Sequence, residues 1–117
     1  MAKTYKATGS GYFPAPSRME GGFKDRRDKP LHTLQDFLRG KAVYVSTAMD
    51  KNLNLAYGTK LRIPELETKH GKVIEFRVVD TGDAFNDKGY TRIDICVRDR
   101  AASLEPTLNG SLTLTFP

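Results

Sequence analysis

A chain of 117 residues with 38% hydrophobic and 28% charged residues suits one globular domain over residues 1–117, large enough to stand without disulfide staples. No run approaches the roughly 20 apolar residues of a membrane span, and Met1 to Tyr5 lacks the apolar core of a secretory signal. The net charge of +5 and pI near 9.4 favour anionic surroundings, nucleic acid and acidic cell-wall polymers alike.

Lys3 to Thr8 opens as a strand, which Gly9-Ser10-Gly11 and then Pro14 and Pro16 are expected to break. A long loop follows to about Pro30. Within it Lys24-Asp25-Arg26-Arg27-Asp28-Lys29 interleaves acids with bases and carries no interspersed aromatics, so it reads as a solvated loop and not as a nucleic-acid surface. Thr33-Leu34-Gln35-Asp36 starts a short helix, around Leu34 to Arg39, which Gly40 stops. Ala42 to Ser46 and Lys60 to Ile63 read as strands, with Asp50 in the loop from Met49 to Gly58.

From Val73 to Val78 the chain alternates, with Ile74, Phe76 and Val78 on one face and Glu75 and Arg77 on the other; Asp80 continues the apolar parity at the strand's exit. In Arg92 to Val97 the three aliphatic residues share one parity, so Asp94 points away from them. Ala101 to Leu104 forms a helical turn and Ser111 to Phe116 a strand. Six strands and two short helices result. Gly58-Thr59-Lys60-Leu61-Arg62-Ile63 also echoes Gly110-Ser111-Leu112-Thr113-Leu114, and two copies of strand, loop, glycine and strand suit a small closed barrel.

Aspartate is a poor strand former, so Asp80 and Asp94, each ending or interrupting a Val/Ile run, point to chemistry. Calcium is disfavoured: Asp83 to Asp94 has EF-hand length, but Phe85 and Lys88 stand where an oxygen ligand and a glycine are needed. His32, His70 and Cys96 show no close pairing for zinc, and Cys96, the only cysteine, lies in an apolar run as an inert thiol. Asp80-Thr81-Gly82 matches the aspartic-protease triplet, yet Asp83 adds a third negative charge beside a dyad that must share one proton.

Taken together, Ser46-Thr47-Ala48-Met49-Asp50, Tyr57-Gly58-Thr59, Val79-Asp80-Thr81-Gly82 and Arg92-Ile93-Asp94 resemble the three-aspartate (3D) domain. Ala7-Thr8-Gly9-Ser10-Gly11-Tyr12-Phe13 is similar to the stretch that opens the barrel in such enzymes. The match spans roughly Ala7 to Phe116. It implies a mainly β fold, a six-stranded double-psi β-barrel with one or two short helices, as in the catalytic region of enzymes of the membrane-bound lytic transglycosylase A type. Two features depart from the family pattern: Asp83 replaces a second glycine, and the loop Phe85 to Tyr90 is longer. The segment between Pro14 and Leu31 is an insertion.

The resemblance implies cleavage of the MurNAc-GlcNAc β-1,4 bond of peptidoglycan with a 1,6-anhydro product, and no metal or cofactor. Asp94 would be the general acid/base and Asp80 the neighbour that tunes it. Asp50, Tyr12, Thr8, Thr81, Gly82 and Arg92 would bind substrate. The expected partner is peptidoglycan or another cell-wall polysaccharide, with no nucleic acid and no membrane span, for a monomer in the periplasm, at the cell wall or secreted. A non-catalytic, expansin-like glycan-binding barrel and a protease-inhibitor-type protein-binding barrel stand as alternatives.

Overall fold

The computed structural model describes residues 3–13, 24–27, 29–81 and 88–117. Strands β1 (Lys3–Tyr12), β2 (Val45–Met49), β3 (Thr59–Leu61), β4 (Phe76–Thr81), β5 (Arg92–Cys96) and β6 (Ser111–Phe116) form one mixed sheet in the order β3-β4-β2-β5-β1-β6. Pairs β1/β5 and β2/β4 are parallel, whereas β1/β6, β2/β5 and β3/β4 are antiparallel. The sheet curls until its edges meet, because Arg62 and Thr115 exchange two backbone hydrogen bonds of 2.9 Å each. The result is a mainly β, six-stranded, barrel-like fold.

Among the described residues three short helices decorate it: α1 (Leu34–Leu38), α2 (Pro64–His70) and α3 (Arg100–Ser103), together with 3-10 turns at Lys51–Leu53 and Gly89–Thr91. The first and third match expectation, and Thr33 caps α1 through Asp36 N–H at 3.0 Å. Helix α2 was not expected, although Pro64 opens it, Glu65 and Glu67 sit in its first turn, and left-handed Gly71 ends it. It fastens the seam. Glu65 accepts from Thr113 N and Oγ1 at 2.8 and 2.7 Å, while Glu67 takes a bidentate bond from Arg62 at 2.8 and 2.9 Å. No helix among the described residues is long and apolar enough to cross a membrane.

The strand pairings are unchanged when β1-β2-β3 is exchanged with β4-β5-β6. The Gly58 and Gly110 echo therefore falls on equivalent strands, β3 and β6, each following its glycine. Inside the curl, Val45, Met49, Phe76, Val78, Ile93, Ile95, Leu112 and Leu114 form one buried cluster with Leu61, Ile63, Leu66 and Leu108.

Three local expectations are corrected. Strand β1 runs through Gly9-Ser10-Gly11 instead of breaking there. The glycines serve close approach: a Cβ on Gly9 would overlap the Leu108 carbonyl oxygen and lie 2.5 Å from Leu112 Cδ1, and one on Gly11 would lie 2.9 Å from Ser103. Strand β2 begins at Val45, not Ala42, since its pairing with β4 starts at Val45↔Phe76; β4 correspondingly begins at Phe76, not Val73. Finally, a β-bulge shifts the β2/β4 register, so that Thr47 pairs with Val78 but Ala48 with Asp80. Val78 and Val79 are both buried, and Asp80 leaves the apolar parity.

Gly9→Ala is expected to destabilise the fold by about 1–3 kcal/mol, seen as a lower urea midpoint with m unchanged. An unaltered midpoint would contradict the close packing of β1 against Leu108.

Candidate functional site

Paired residues on neighbouring strands share a face, so the register defines a row of side chains. Ala48 pairs with Asp80 on one side and with Asp94 on the other, and Asp94 pairs with Ser10. Ile93 and Ile95 point into the core cluster, so this row lies on the outer face of the sheet. Asp80 and Asp94 thus face the same way, separated by two strand spacings, about 10 Å at the backbone. Ala48 between them is buried. Tyr12, opposite Cys96, and Thr8, opposite Arg92, share the face by the same alternation.

Asp80 is half-buried and carries a raised pKa, from its ordinary 3.8 to about 6. Burial is the main cause and the Asp25 carboxylate the second; the Arg26 backbone N–H and guanidinium and the Tyr12 hydroxyl oppose the rise. The Tyr12 hydroxyl lies near enough to favour the ionised form without making a hydrogen bond of regular geometry, and it is buried. Burial, then Cys96, Asp80, Asp94 and Asp25, all raise the Tyr12 pKa, so the phenol stays neutral among three acids. Burial likewise pushes the Cys96 thiol up, which makes it a poor nucleophile.

Asp25 was expected in a solvated loop. Lys24, Arg26, Arg27 and Lys29 around it are exposed, but Asp25 is only 5% exposed. Its Oδ1 accepts from Arg27 N–H at 2.8 Å and Lys29 N–H at 3.1 Å, while Oδ2 accepts a short hydrogen bond from the Tyr57 hydroxyl. The turn is closed by Asp25 N–H to the Lys29 carbonyl at 2.8 Å and by a bridge between Lys24 and Pro30. Arg27 stands 4.5 Å over the Tyr57 ring. The turn around Asp25 therefore carries a fixed carboxylate to Asp80 and lays Arg26 along its edge.

Asp94 accepts from Ser10 Oγ through a short hydrogen bond and from Arg92 Nε at 3.3 Å, both on Oδ1. Asp50 stands apart from this group. Its Oδ1 takes Asn52 N–H and its Oδ2 takes Gly89 N–H, both at 2.9 Å, and these bonds hold its pKa below the usual range. It is 4% exposed and ties the turn after β2 to the start of β5. Thr81 is exposed at the end of β4, and Gly82, Asp83 and Asp87 lie outside the described residues.

Beside Asp80, but not containing it, an open cleft of about 270 Å³ is lined by Arg26, Asp50, Lys51, Asn54, Leu55, Val78 and Thr81. Arg26 borders both. Among the described residues no three His, Cys, Asp or Glu side chains gather closely enough to hold a metal ion. The sequence reading grouped Thr8, Tyr12, Asp50, Asp80, Thr81, Gly82, Arg92 and Asp94 in one site; the strand register puts Thr8, Tyr12, Asp80, Arg92 and Asp94 on one face, and Ser10, Asp25, Arg26 and Tyr57 were missed. Ser10 and Tyr57 lay within the quoted motifs without a role; Asp25 had only its turn-forming position before Lys29-Pro30 as a signal.

Comparison with protein-family models and with curated protein sequences finds no match to this chain.

Because the folded chain holds the Asp80 proton more tightly than the unfolded chain, this group makes stability fall as pH rises from about 4 to 6. Asp50, Glu65, Glu67, Asp99 and Glu105, with lowered values, act in the opposite direction. Asp80→Asn isolates its share: the variant should match the wild type near pH 4 and exceed it by about 1–2 kcal/mol above pH 7, after discounting for partial exposure. Urea unfolding at both pH values checks this, and a gain that is equal at the two would refute it.

Proposed function

We propose that this chain cleaves the glycan strands of peptidoglycan as a lytic transglycosylase, on a double-psi barrel of the three-aspartate type, with Asp80 carrying the proton. The observation that carries the reading is Asp80 itself: a carboxyl raised to about 6 on an outer face shared with a second carboxylate, Asp94. The exchange of β1-β2-β3 with β4-β5-β6 supports the duplicated barrel. The ordered motifs around Asp50, Asp80 and Asp94 support the three-aspartate relationship.

The reaction needs one carboxyl group twice. Protonated Asp80 gives its proton to the glycosidic oxygen as the bond from that oxygen to C1 of the muramic residue breaks. The resulting carboxylate then takes the proton of the C6 hydroxyl as O6 bonds to C1, which closes the 1,6-anhydro ring and restores the starting acid. No water is consumed. A proton available near pH 6 is what distinguishes Asp80 for this task, whereas Asp94, already accepting from Ser10 and Arg92, is suited to stabilise positive charge developing at the sugar ring. The sequence expectation assigned these roles the other way round.

Asp25 is a positioning residue here: it touches Asp80's environment and not the glycan. Its carboxylate keeps Asp80 protonated to higher pH, and its turn places the Arg26 amide on Asp80. A wall substrate also places the protein outside the cytoplasm.

Digestion of purified sacculi, read by mass spectrometry, should yield 1,6-anhydromuropeptides. Asp80→Asn should lower the rate about 10²–10⁴-fold and Asp94→Asn less. The wild-type rate should decline as pH rises past 6, and Asp25→Asn should move that decline to lower pH. Anhydro product formed equally well by Asp80→Asn would end the assignment; sacculus binding without soluble product would mark a non-catalytic glycan-binding barrel instead.

A further inference from the structure

The cleft next to Asp80 has a consistent chemistry that the cleavage step does not use. Four of its polar side chains can donate: the Arg26 guanidinium, the Lys51 ammonium, the Asn54 amide and the Thr81 hydroxyl. Among the described residues its one acid, Asp50, has both oxygens occupied by backbone N–H groups, so that charge is already compensated by dipoles before any ligand arrives. The Lys51 charge falls on Asp50 and the Arg26 charge on Asp80, so each cation stands at the cleft beside one acid. Arg26 also makes a long 3.4 Å contact with the Leu55 carbonyl and a 5.6 Å approach to the Tyr57 ring. Leu55 and Val78 add apolar surface.

Size and position narrow the occupant. At about 270 Å³ the cleft lies below the volume that encloses a whole drug-sized ligand, so it suits a substituent of a longer chain. It begins at Thr81, the residue after Asp80, and Arg26 borders both sites, so a group entering it is attached to a sugar near the scissile bond.

We infer that this cleft is a subsite for a carboxylate borne by the muramic residue, either the lactyl carboxylate or that of an attached peptide, gripped by Arg26 and Lys51 with Asn54 and Thr81 completing the hydrogen bonds. This rests on the glycan-cleaving reading and adds a requirement for acidic substituents. A plain chitin-type chain, which has no carboxylate, leaves the cleft empty. Arginine supplies planar, two-pronged recognition of a carboxylate, and lysine supplies charge.

The test is direct binding, measured calorimetrically with three probes: N-acetylmuramic acid, N-acetylmuramyl dipeptide and N,N′-diacetylchitobiose. Wild-type protein should bind at least one muramyl probe at least about tenfold more tightly than chitobiose, and which one separates the lactyl from the peptide carboxylate. Lys51→Glu should abolish that preference, and Lys51→Arg should keep it. Lys51 is exposed and outside the strands, so folding should be unaffected, which circular dichroism verifies. Equal affinity for all three probes, no binding of any, or a preference untouched by Lys51→Glu overturns the subsite. Anhydro product from sacculi is read separately, so loss of carboxylate preference with continued cleavage removes only this inference, and carboxylate-dependent binding without cleavage removes only the catalytic one.

Discussion

The outer face of this sheet depends on one pairing arrangement: Ala48 of β2 paired between Asp80 of β4 and Asp94 of β5. A parallel neighbour on one side and an antiparallel one on the other bring residues 14 positions apart to the same level of the sheet. The bulge at Val79 is indispensable to it. Without the extra residue, Asp80 would follow Phe76 and Val78 into the apolar interior, where a carboxyl has no partners and burial is far more costly. With it, Val79 takes up the buried position and Asp80 emerges half-covered. The barrel seam, fastened by Arg62, Thr115 and the two glutamates of α2, holds the strands in the curvature that keeps this row together.

The described acids of this chain fall into two environments, and the contrast sets Asp80 apart. Asp50, Glu67, Asp99 and Glu105 receive backbone N–H groups or cations, and their values are lowered; they act as caps, turn fixers and seam ties. Asp80 receives one amide from Arg26 and the nearby Tyr12 hydroxyl, but burial and the Asp25 carboxylate outweigh them. Asp25 tolerates its own burial because two backbone amides and Tyr57 satisfy it. The charge that raises Asp80 is thus fixed by a separate, complete hydrogen-bond set.

Local alternation made much of the fold legible. Ile93, Ile95 and Val97 set the inner face of β5 and placed Asp94 outside, and Ser111 to Phe116 was readable end to end. The Gly58 and Gly110 echo pointed to equivalent strands. Non-local effects were not legible: the bulge at Val79 appears only when β2 and β4 pair, and Gly9 and Gly11 look like strand breakers until Leu108 and Ser103 press against them. In the site, Asp80 and Asp94 announced themselves as acids in apolar strands. Asp25 did not, since its burial depends on Tyr57, 32 residues away, and the mixed charges around it are those of an ordinary surface loop. Helix α2 had its Pro64, Glu65 and Gly71 signals in place; the strand pattern just before it masked them.

The account stands on Asp80 holding a proton close to neutral pH. Site-resolved ¹³C NMR of the aspartate carboxyl carbons, with Asp80 assigned by comparison with Asp80→Asn, measures that directly. A titration midpoint near 6 for Asp80, well above that of Asp50, is the expected result. A midpoint near 4, in the ordinary aspartate range, would contradict the proton-carrier role and the site built around it.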